Sequence, residues 1–96
     1  QYSTQASATG TGTTPSVTAT TTSGDIVIDF MQYEGLAGAT VNSAGAGQTV
    51  INNEETPTQD VSGSCSYETA SGASTTNDWT ASASNLWASC SVVLED

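Results

Sequence analysis

Apolar and polar residues alternate most regularly at the end of the chain. From Leu86 to Leu94 the residues Ala88, Cys90, Val92 and Leu94 alternate with Trp87, Ser89, Ser91 and Val93, the two-residue period of a strand with one face on a core. Thr76–Ser82 precedes it across the turn Ala83-Ser84-Asn85, so this hairpin carries both tryptophans and one of the two cysteines. A second strand follows from Ile26 to Tyr33. Ile26, Ile28 and Phe30 point one way and Val27, Asp29, Met31 and Tyr33 the other; apolar residues on both sides predict a central strand, with Asp29 on the outer, partly covered face.

The remaining elements are shorter. Pro15 opens a strand through Thr21, a place where its missing donor is harmless, and Thr22-Ser23-Gly24-Asp25 is a tight turn. Residues 34–47 hold four glycines in fourteen positions, which makes a helix costly there. Gln48–Asn52 is a short strand, residues 53–60 an acidic turn, and Val61–Ala70 a strand carrying Cys65. Residues 1–14 are small, polar and uncharged, and read as an extended polar arm or linker, able to add as a strand to a neighbouring sheet edge. Residues 15–96 then form one domain. Five to six short strands at roughly ten-residue spacing predict an all-β fold, a small antiparallel β-sandwich.

Composition sharpens this picture. Ser and Thr make up about a third of the 96 residues, and there is no Lys, Arg or His against ten acidic residues, a net charge of −10. Such a chain cannot neutralise phosphates and has no basic patch for anionic lipid, which argues against nucleic-acid binding. Catalysis by His, by a His-activated Ser or Cys, or by a Lys Schiff base is excluded. No apolar run reaches membrane-spanning length, so no membrane insertion is expected. The chain opens on Gln1 rather than Met, as after processing or excision from something longer.

Two cysteines, Cys65 and Cys90, both lie in alternating segments. They predict one disulfide, closing a loop of about 25 residues and contributing roughly 3–4 kcal/mol, and with it an oxidising, extracellular location.

Three stretches carry a resemblance. Ser23-Gly24-Asp25-Ile26-Val27-Ile28-Asp29-Phe30, then Ala44-Gly45-Ala46-Gly47-Gln48-Thr49, then Asn77-Asp78-Trp79-Thr80 with Leu86-Trp87-Ala88-Ser89-Cys90-Ser91-Val92, resemble the C-terminal half of a β-sandwich module, Ig-like or jelly-roll-like. That module is found in secreted bacterial, cell-surface and phage virion proteins. The resemblance spans about residues 16–95 and implies display or adhesion without catalysis or cofactors. It also implies a missing half, to be completed by the chain itself or by strands from a neighbour.

Other candidates for chemistry are few. Trp79, Trp87 and Tyr33, with Tyr67, could stack on sugars, although core packing is the commoner fate of such rings. Glu54, Glu55 and Asp60 could gather oxygens for Ca²⁺, against the plainer reading of a solvated acidic turn. A glycosidase would need two carboxylates flanking a cleft; Asp25 with Asp29, or Glu68 with Asp78, could be brought near each other, but nothing in the sequence places either pair together. The leading expectation is a non-enzymatic structural or interaction subunit of an extracellular assembly, such as a virion surface, fibre or cell-surface filament, whose partners are other protein subunits, including copies of itself. The alternative is a carbohydrate-binding or adhesive module, with or without calcium.

Overall fold

In the computed structural model, residues 1–34, 41–55 and 61–96 are described, apart from the side chains of Val41, Asn42 and Glu55. They form eight strands: β1 Tyr2–Gly12, β2 Ser16–Thr20, β3 Ile26–Glu34, β4 Val41–Ala44, β5 Thr49–Glu55, β6 Val61–Thr69, β7 Ser74–Ala81 and β8 Asn85–Leu94. The all-β class is as predicted, with two strands more than expected. One extra strand is β4, inside the glycine-rich connection. The other is β1: the segment expected as an arm is extended, but it is hydrogen-bonded to β8 from Tyr2↔Leu94 to Gly12↔Asn85.

The strands make two antiparallel sheets, one of five in the order β1-β8-β3-β6-β5 and one of three in the order β2-β7-β4. Three pairs, β1 with β8, β2 with β7 and β3 with β6, join strands whose ordinals sum to nine. This is the connectivity of a long two-limbed ribbon rolled into two layers, except that β5 pairs with β6 and leaves the smaller sheet with three strands. The first limb changes sheets at Pro15. There the carbonyls of Thr13 and Pro15 accept from the N–H groups of Ala81 (2.8 Å) and Trp79 (2.9 Å), so the chain leaves β8 and joins β7 within a few residues.

Local chemistry makes the turns. At the β2–β3 corner the Asp25 carboxylate accepts from the Thr22 N–H (2.8 Å), the Asp25 N–H donates to the Thr22 carbonyl, and Gly24 takes a φ of 102° that a side chain would resist. Between β4 and β5, Gln48 N–H closes on the Gly45 carbonyl around Gly47, whose φ is 89°.

Between the layers lie two small apolar clusters. One is Met31, Tyr33, Trp79 and Ala81 with Ala44 and Trp87 against it; the other is Ala19, Val27, Ala70 and Val93 with Ala6 against it. A polar band of Asp29, Ser66, Asn77 and Ser91, all fully buried, shares the interior with them. Asp29 therefore corrects the expectation that it faces outward. Its alternate set, Val27, Asp29, Met31 and Tyr33, is the inner face of β3, while Phe30 is exposed and Ile26 and Ile28 are half-buried.

The predicted disulfide is absent. Phe30 on β3 is the cross-strand partner of Cys65 on β6 and also of Cys90 on β8, so β3 stands between the two cysteines. Strands two apart in a sheet are separated by about 9.5 Å. A bridge needs Cα atoms within about 7 Å, so none can form without rebuilding the sheet.

Candidate interaction surface

Three neighbouring strands of the larger sheet share an unusual distribution of side chains. On β6 the serines Ser62, Ser64 and Ser66 point inward, and on β8 Ser89 and Ser91 do the same; all five are buried. The more apolar alternates point outward: Ile26, Ile28 and Phe30 on β3, Cys65 and Tyr67 on β6, Cys90, Val92 and Leu94 on β8. Phe30 is 50% and Tyr67 40% exposed.

The register arranges these residues in rows across the sheet. One row reads Tyr2, Leu94, Ile26, Thr69; the next Gln5, Val92, Ile28, Tyr67, Thr49; the third Ser7, Cys90, Phe30, Cys65, Asn52. None of these fourteen residues is charged, in a chain of net charge −10. The fourth row, Thr9, Ala88, Gln32, Gly63, ends on Glu54 at the sheet edge. Because Ala88 and Gly63 are small, the surface sinks beside Phe30 into a depression of about 640 Å³. Cys65 and Cys90 are on its wall as free thiols. Burial, and secondarily the charge of Asp29, raises the Cys65 pKa, which keeps that thiol protonated at neutral pH and slows its reactions.

The opposite side of the same sheet holds Asp29 and Glu68. Asp29 accepts hydrogen bonds from Trp79 Nε1 (2.7 Å) and from Ser66 Oγ. Glu68 lies further along β6, where Asn77 Nδ2 donates to it at 3.0 Å, and Asn77 Oδ1 and Ser91 Oγ are left buried without partners. Burial first, then the charges of Asp29 and Asp78, raises the Glu68 pKa. The candidate pair Glu68 and Asp78 is thus within electrostatic reach. It lies beside the Gly45–Gly47 turn, where a Cβ on Gly45 would fall 2.0 Å from Asp78 Oδ1. Asp25 is held apart from Asp29 by its own turn, with its carboxylate on the N–H groups of Thr22 and Asp96.

Of the four aromatic residues proposed for sugar stacking, Tyr67 is exposed on the outer face and the other three have other positions. Trp79 and Tyr33 are fully buried, Tyr33 with its hydroxyl proton shared between the carbonyls of Gly12 (3.1 Å) and Ala83. Trp87 is half-buried on the inner face, its ring over Gly10, where an added Cβ would come within 2.7 Å. None of the three offers an open ring face. Of the calcium candidates, Glu54 is exposed on β5, the Glu55 side chain is not described and Asp60 lies outside the described residues. Among the described residues no three His, Cys, Asp or Glu side chains are grouped to hold a metal ion.

Sequence reasoning overlooked the outer face itself. The signal was present in Ser62, Ser64 and Ser66 alternating with Cys65 and Tyr67, but alternation alone does not say which set turns inward. Comparison with protein-family models, with curated proteins and with solved structures gives no match.

Proposed function

We propose that the chain is a non-enzymatic structural or interaction subunit of an extracellular assembly, and that it works by giving the outer face of its five-stranded sheet to a neighbouring protein. One observation carries this reading: β6 and β8 bury their serines, and together with β3 they set Ile26, Ile28, Phe30, Cys65, Tyr67, Cys90, Val92 and Leu94 side by side on the outer face, half-buried or exposed. A sheet that served only its own core would do the reverse, and contiguous apolar patches of several hundred Å² on soluble proteins mark contact surfaces. The absent basic residues and the Ser/Thr-rich strands support a place outside the cell; the cysteines, being unpaired, add nothing to that argument. The carbohydrate-binding alternative has lost Trp79 and Tyr33 to the core and Trp87 to the inner face.

The test is site-specific photocrosslinking in the organism of origin, with a photoreactive residue at position 30 and, as control, at Thr80 on the outer side of the smaller sheet. Discrete protein adducts from position 30 and none from position 80 support the reading. Absence of adducts from position 30 overturns it.

A further inference from the structure

The geometry points to a second copy of this chain as the occupant of the outer sheet face, in a twofold-symmetric dimer in which Phe30 of each copy fills the depression beside Phe30 of the other. This rests on the reading of that face as an interaction surface and adds the identity of the partner.

Charge is the first argument. Two chains of net charge −10 repel wherever carboxylates meet, and there is no basic side chain on either to relieve it. The second and third rows are uncharged, and where they cover the partner's fifth row, with Glu34 and Val61, and its fourth, Glu34 meets Ile28 and Glu54 meets Asn52, so no acid opposes an acid. A basic partner would find nothing on these rows to pair with.

Shape is the second. A twofold interface must be self-complementary, with the projection and its receptor on the same patch. Phe30 projects from the third row, and the fourth row supplies the hollow, with Gln32 flanked by Gly63 and Ala88. A twofold axis in the plane of the interface, running across the strands between these rows, lays β3 over its counterpart. It sets each Phe30 over the partner's Gln32, between Gly63 and Ala88. Sheets packed face to face in this way lie about 10 Å apart, as the two layers of one copy do.

Area is the third. The four rows that overlap about this axis, the second to the fifth, cover about 600 Å², from the spacings of a sheet. Two such faces bury about 1,200 Å², the lower end of specific interfaces. The dimer is therefore expected to dissociate on dilution.

The test is sedimentation velocity on the purified 96-residue chain over a concentration series, at low and high salt. A monomer–dimer equilibrium that strengthens at high salt, where charge repulsion is screened, is expected. Phe30→Glu and Gly63→Leu should each weaken it at least about tenfold, in keeping with loss of a central anchor, whereas Thr80→Glu should leave it unchanged. Gly63→Leu matters because a Cβ at Gly63 meets nothing within 4 Å, so the variant fills the hollow without disturbing the fold, which circular dichroism checks. A chain that stays monomeric at every concentration and salt overturns the inference, and so does a dimer indifferent to both substitutions. In either case, adducts at position 30 with some other protein would leave the face as an interaction surface with a different partner, and no adducts would end both proposals.

Discussion

Asp29 is the residue on which the interior turns, because it is fully buried in a chain with no basic side chain to pair with it. Its two oxygens instead take the Trp79 indole N–H and the Ser66 hydroxyl. Asp29→Ala would strand both donors and is expected to cost about 2–4 kcal/mol in chemical denaturation. Asp29→Asn should cost less than about 1 kcal/mol, since its carbonyl can still accept from Trp79 and its amide lies across from Ser91, whose hydroxyl has no partner. Equal losses in the two variants would show that the carboxylate's charge, rather than its acceptor geometry, holds this site. The cysteines give a second test. With β3 between them, native thiol titration should find two reactive groups per chain, Cys90 faster than the half-buried Cys65. Replacing both by Ser should shift the melting temperature by only a few degrees, where loss of a bridge of about 3 kcal/mol would shift it by well over ten. A blocked thiol pair or a large shift would return the disulfide.

Among the elements, β1 is the one whose role separates an appendage from a structural strand. It pairs with β8 nearly end to end, and its Gly10 leaves room for the Trp87 ring. Deleting residues 1–12 should expose the β8 edge, uncover Trp87 and abolish cooperative unfolding, whereas removal of a linker would leave the melting curve as it was. Gly10→Ala should cost about 1–3 kcal/mol through its clash with Trp87. The sequence made β2, β3, β6, β7 and β8 legible because alternation and turn residues are local signals. It hid β1 and β4, whose small Thr, Ser, Gly and Ala side chains carry little periodic contrast. It also hid the facing of β3, because one alternate set holds Ile26, Ile28 and Phe30 and looks the more apolar. The partner across the interior decides that question. Trp79 offers a donor that Asp29 accepts, and Tyr33 lies across from the small Ser62 of β6. Neither cause is visible within one strand. The outer face was unreadable for the same reason: its residues come from separate strands and share a face only once the register is set.

At the scale of the whole molecule, a fold built without basic side chains should respond to pH in the opposite sense to most proteins. Acid usually destabilises by protonating carboxylates that are paired with cations in the native state, and here there are no such side-chain pairs to lose. Glu68 supplies a gradient of the other sign. Burial and the charges of Asp29 and Asp78 raise its pKa in the folded chain, so between its unfolded value and that raised value the native state binds more protons than the unfolded one. Stability then falls as pH rises through this window: the native state is favoured most below the unfolded carboxylate pKa and least above the folded one. Repulsion among the ten acids works in the same direction. Thermal melts of dilute protein should therefore give a higher melting temperature near pH 4.5, about where an unfolded carboxylate titrates, than near pH 8, well above it. Glu68→Gln should raise stability at the higher pH and flatten the profile, because its amide oxygen can still accept from Asn77 while the charge is gone. A profile that rises with pH, or one unchanged in Glu68→Gln, would mean that the Asn77 hydrogen bond outweighs burial and that Glu68 is held charged.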